Sequence, residues 1–96
     1  MTDHVDDPVE RDARLRPSPD VVSRRLDGAG VLIHLQTNRI FELNETGIRI
    51  WELLTDGRDR AAVVSHLVEE FDVDAARAER ELSDLLHRFQ REGLIG

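Results

Sequence analysis

The chain changes its periodicity once, at a single corner. Before Leu43, apolar residues run in short β-branched stretches; after Asn44 they recur every three or four residues. Short β-branched apolar runs suit strands and a period of 3.6 suits helices, so the strands precede the helices. "VVSRRL" reads as a first strand, "VLIHL" as a central strand and "RIFEL" as a third. Between them, "DGAG" has turn chemistry through Gly28 and Gly30, and "QTN" offers Asn38 for a left-handed residue. Connections this short make neighbouring strands antiparallel and predict a meander with the third strand at an edge.

Asn44 is placed to cap the first helix, with Glu45 in its first turn. Gly47, Ile50, Trp51 and Leu54 share one face, Gly57 stops the helix, and Gly47 is expected to let it approach the sheet closely. Asp59 starts a second helix with Val63, Val64, Leu67, Val68 and Phe71 on its apolar face. A third begins near Asp74 and shows Ala78, Leu82, Leu85, Leu86 and Phe89, with Gly93 as a left-handed stop. Three strands followed by three helices make an α+β domain with helices on one face of the sheet. Trp51 is assigned to the core, because it lies on the apolar stripe.

Ahead of this domain, the polar, proline-bearing residues 1–19 are expected to form a flexible acidic tail, leaving 20–96 as one domain. The tail has no apolar segment of the signal-peptide kind, and no run is long enough to span a membrane, so a cytoplasmic location is expected.

Few reactive groups are available. With no cysteine, thiol chemistry and zinc-thiolate sites are excluded. His4, His34, His66 and His87 lack metal-ligand spacing, and Ser23, Ser65 and Ser83 have no evident base. Neither a catalytic residue, nor a metal, nor a cofactor is expected. A net charge of −7 disfavours nucleic acid. The arginines of the third helix, Arg77, Arg80, Arg88 and Arg91, suit a solvated face with Arg77–Glu81 and Asp84–Arg88 pairs. What remains is the edge strand, whose unpaired backbone a protein must either cover or use.

Three segments carry a resemblance: "RIFELNETGIRIWELLTDG", "LVEEFDVD" and "LLHRFQREGLI". In order and length, residues 19–95 resemble the PqqD family of precursor-peptide recognition domains. The Leu43-Asn44-x-Thr46-Gly47 corner, Ile50-Trp51 and Gly93-Leu94-Ile95 are the most specific parts. The resemblance implies a winged-helix-like fold and no catalysis. It implies binding of the leader segment of a ribosomally made precursor peptide, presented to a maturation enzyme. That enzyme would be a radical enzyme, or a leader peptidase with a cyclase as in lasso peptide pathways. The leader would add as a strand to the third strand and lie against the third helix. Carried onto this chain, the binding residues are Arg39, Ile40, Phe41, Glu42 and Leu43 on one side, and Leu82, Leu85, Leu86 and Phe89 on the other. No nucleic acid or membrane partner is implied. The alternative is a winged-helix DNA-binding regulator, opposed by five acids against four arginines in residues 74–96.

Overall fold

The computed structural model describes residues 15–95; the expected tail, residues 1–14 of it, lies outside the described residues. Strands β1 (Val21–Leu26), β2 (Ala29–His34) and β3 (Arg39–Leu43) form an antiparallel sheet in the order β1-β2-β3. Helices α1 (Glu45–Thr55), α2 (Arg60–Phe71) and α3 (Ala75–Arg91) follow. The expected α+β order, strands first and helices second, is the observed one.

Each helix begins on a side-chain cap. Asn44 Oδ1 accepts from Gly47 N at 2.8 Å, Asp59 accepts from Ala62 N and Asp74 from Arg77 N. Such caps satisfy donors that the first turn leaves without an intrahelical partner. At the other end of α3, Gly93 adopts φ +71° and Leu94 N donates to Phe89 O at 2.9 Å. This folds the buried Leu94 back under the last turn.

The core lies between the sheet and the helices. Leu32, Phe41 and Leu43 come from the inner face of the sheet, Ile48, Ile50, Trp51 and Leu54 from α1, and Leu82, Leu86 and Phe89 from α3. Trp51 is 2% exposed and meets the Phe89 ring edge-on, with centroids 5.4 Å apart. Residues 15–19 also lie against the domain: Pro17 bridges Ile95, and Ser18 N donates to Leu94 O at 2.8 Å.

Two details of the sheet differ from expectation. The β1–β2 turn is Asp27-Gly28 alone, with φ of +32° and +71°, so β2 starts at Ala29 and Gly30 is a strand residue. Packing explains this glycine: a Cβ there would stand 2.5 Å from Ile48 Cγ1. The equivalent atom at Gly47 would meet Leu43 Cβ and Asn44 Oδ1 at 3.2 Å, which is tight but less severe. Gly30, more than Gly47, sets how closely α1 approaches the sheet. Gly30→Ala should therefore cost about 1–3 kcal/mol by overpacking. The check is thermal denaturation of Gly30→Ala, Ile48→Ala and the pair. The double variant should be more stable than the sum of the single losses predicts.

An ion-pair chain ties α1 to its neighbours. Arg25 of β1 donates twice to Glu52 (2.9 and 2.8 Å), while Arg49 contacts Glu52 and donates twice to Glu70 of α2. Hydrogen bonding from Arg25 is the main cause that holds the Glu52 carboxyl below its ordinary range, and Arg49 does the same for Glu70. Carboxyls depressed in the folded state stabilise it above the ordinary glutamate range. That contribution is lost as pH falls through their lowered values. The thermal midpoint should fall with acidification over that window, and less steeply in Glu52→Gln. Because the groups are partly exposed, the effect is modest.

Candidate functional site

The orientation of the backbone in β3 follows from the β1–β2 hairpin. In a two-residue hairpin with both turn residues at positive φ, the flanking residues, here Leu26 and Ala29, form a hydrogen-bonded pair. Alternation along the ladder then directs the N–H and C=O of Ala29, Val31 and Ile33 to β1, and those of Gly30, Leu32 and His34 to β3. Arg39, Phe41 and Leu43 face their partners on β2. Ile40 and Glu42 turn their main-chain groups outward, at the open edge.

Side chains alternate in the same rhythm. Phe41 and Leu43 are buried on the inner face, whereas Ile40 is 66% exposed and Glu42 is exposed on the outer face. The loop Leu35–Asn38 sets this register. Asn38, at φ +62°, donates its N–H to His34 O at 2.8 Å and delivers the chain into β3.

Beside the edge runs a cleft of about 450 Å³ between β3, the start of α1 and the middle of α3. Leu43, Gly47, Ile50 and Leu85 give it an apolar floor. Glu81, Asp84 and Arg88 line its α3 side, and Glu42, Asn44 and Thr46 the opposite rim. Arg39 bridges from the start of β3 to Glu92, just past α3, at 2.6 Å, with its guanidinium 5.2 Å from the centre of the Phe41 ring. A larger hollow of about 670 Å³ lies on the β1 side, but residues 15–19 form much of its wall. In the β3 cleft, apolar surface adjoins the outward-facing strand backbone and a helix faces it across the gap.

The structure brings together part of the expected site. Arg39 to Leu43 form the edge strand, and Leu85, half-buried, lies in the cleft. Leu82, Leu86 and Phe89 do not line it: at 0%, 5% and 1% exposure they are core residues that hold α3 in place. An apolar helical stripe is centred on the core, so only its flank reaches a neighbouring cleft. Glu81, Asp84, Thr46 and Ile50 also line the cleft; the sequence reading placed them in ion pairs, the strand-helix corner and the α1 stripe, not in the binding site. Of the two ion pairs expected on α3, Arg77–Glu81 forms at 3.0 Å, and none joins Asp84 to Arg88 among the described residues. His34 is buried and its Nδ1 accepts from Gln36 N at 3.3 Å. Among the described residues no cluster of three or more His, Asp or Glu side chains could hold a metal. No helix among them is long and apolar enough to cross a membrane.

A family model described as coenzyme PQQ synthesis protein D (PqqD) matches residues 29–95, from the start of β2 to the end of the described chain. The chain belongs to the PqqD family. Two solved structures share its fold over most of their length. One is TbiB1 in complex with the TbiA(beta) leader peptide: 38% identity, 83% of this chain and 93% of that chain covered, TM-score 0.78. The other is a lasso peptide synthetase B1 complexed with the leader peptide: 28% identity, 82% and 93% covered, TM-score 0.73. None of the curated proteins compared matches this PqqD family member. The matched region contains β3, α1 and α3, the elements that form the cleft. PqqD-like recognition elements are in general non-catalytic partners of modifying enzymes.

Proposed function

We propose that this PqqD family member binds the leader segment of a ribosomally made precursor peptide and presents it to a maturation enzyme, in a pathway of the lasso type. It does so without catalysis of its own. The observation that carries this is the likeness to TbiB1, whose structure is a leader peptide complex, over 83% of this chain. The leader adds antiparallel or parallel to β3, taking the outward hydrogen bonds of Ile40 and Glu42. Every second leader side chain then enters the cleft over Leu43, Ile50 and Leu85. Main-chain bonds supply sequence-tolerant affinity, and the cleft supplies selection. The Asn44 cap, Gly30 and Trp51 fix the angle between β3 and the helices, and so the width of the cleft. The maturation enzyme is a leader peptidase acting with a cyclase. Nothing in the fold or the comparisons favours the DNA-binding alternative.

The test uses a synthetic, fluorescently labelled leader of the cognate precursor peptide, followed by anisotropy. Saturable one-to-one binding is expected. Leu85→Asp, which places a charge on the cleft floor, should weaken it at least tenfold while the fold is retained. Absence of binding to the wild-type chain contradicts the proposal.

A further inference from the structure

The face of the sheet turned away from the helices carries a pattern that the cleft does not use. All four large apolar side chains exposed among the described residues (Val22, Leu26, Leu35 and Ile40) lie on this face or at its end. Cross-strand register aligns the residues of this face in rows. Val22, Ile33 and Ile40 form one apolar row that ends at the open edge. The next row is Arg24, Val31 and Glu42, and it ends at the same edge in a carboxylate. Beyond it lies a hollow of about 420 Å³ lined by Leu26, Ala29 and Val31, with Glu42 on its rim. Among the described residues no base pairs with Glu42, whereas Glu52 of α1 and Glu70 of α2 each pair with an arginine.

Charge, short length, proline or bulges protect an edge strand, whereas a large exposed apolar side chain on it does not. This one exposes an isoleucine two residues from a single unpaired acid. On an added strand, the residues opposite Ile40 and Glu42 share their face, and directly opposed side chains interact. The side chain between them points to the other face, into the cleft.

We infer that the outer face of β3 reads two positions of the bound peptide: a lysine or arginine opposite Glu42 and, two residues away, an apolar residue opposite Ile40. This rests on strand addition at β3 and specifies the peptide class that the edge accepts. The cation meets the Glu42 carboxylate at the edge, and its methylenes lie toward the apolar hollow, as long basic side chains do on apolar surface. The apolar residue extends the row of Val22, Ile33 and Ile40 by one strand. The two contacts fix register, because a one-residue slip would turn both side chains into the cleft. A two-residue slip would set the apolar side chain against the carboxylate or the cation against Ile40.

The probe is a displayed library of fifteen-residue random peptides, selected on the full chain and in parallel on Glu42→Arg. Synthetic copies of the enriched peptides are then titrated and their effect on hydrogen exchange measured. The wild-type chain should enrich Lys or Arg two positions from Ile, Val, Leu or an aromatic residue. Replacing that basic residue by Glu should weaken binding about five- to tenfold. Glu42→Arg, which leaves the thermal midpoint unchanged because the side chain is exposed, should enrich acidic residues at that position instead. Protection of residues 39–43 with no basic preference, or with a preference that Glu42→Arg does not reverse, overturns the inference and leaves strand addition standing. Enriched peptides that leave residues 39–43 unprotected, or no enrichment at all, overturn both.

Discussion

Trp51→Ala should lose about 3–5 kcal/mol of folding stability, the usual cost of truncating a buried aromatic side chain. Trp51 is almost wholly buried, and its ring meets Phe89 of α3 edge-on. It therefore joins the helix that follows the edge strand to the helix that walls the cleft. A small domain has roughly 5–15 kcal/mol in all, so much of the population would unfold on modest heating. Denaturant titration measures the loss directly. Peptide affinity, corrected for the folded fraction, should change far less than the stability. A variant that keeps its midpoint and loses peptide affinity would make Trp51 a contact residue instead.

Glu42→Pro should do the reverse, leaving the domain folded and removing peptide binding. Proline deletes one backbone N–H and fixes φ near the extended region. At an edge position whose N–H points outward it breaks no ladder bond. The register places Glu42 opposite Val31 in a pair whose backbone groups point away from each other. Its side chain is exposed, so the core loses nothing. The added strand, by contrast, loses a hydrogen bond and meets the proline ring. A decline in affinity of more than about tenfold, with a thermal midpoint within a few degrees of wild type, is expected. Glu42→Thr separates backbone from side chain: it should keep the strand contact and lose only what the carboxylate adds. Unfolding of Glu42→Pro would mean that its N–H bonds within the sheet.

Most of the architecture was legible because it depends on local signals. Asn44, Asp59 and Asp74 mark helix starts by side-chain capping, and Asn38 and Gly93 mark reversals by their tolerance of positive φ. The alternation Phe41-Glu42-Leu43 fixes which face of β3 is buried. What the sequence concealed depends on tertiary distances. Gly30 looks like part of a turn beside Gly28, and only the approach of Ile48 explains it. On α3, Leu82, Leu85, Leu86 and Phe89 are equivalent as a stripe, yet just Leu85 sits on the flank that reaches the cleft. Glu81, Asp84 and Thr46 carry no local mark of their position, since charged and hydroxyl residues at such sites also suit a solvated surface.

Hydrogen exchange of residues 39–43, with and without saturating leader peptide, tests strand addition at β3 most directly. The outward amides of Ile40 and Glu42 have no partner on β2 and should exchange quickly in the free protein. Bound leader should slow these two strongly, while Phe41 and Leu43, already bonded to β2, should change less. That alternating pattern is the account's signature. Saturating leader that leaves Ile40 and Glu42 exchanging as fast as in the free chain would contradict it and move the peptide to another surface.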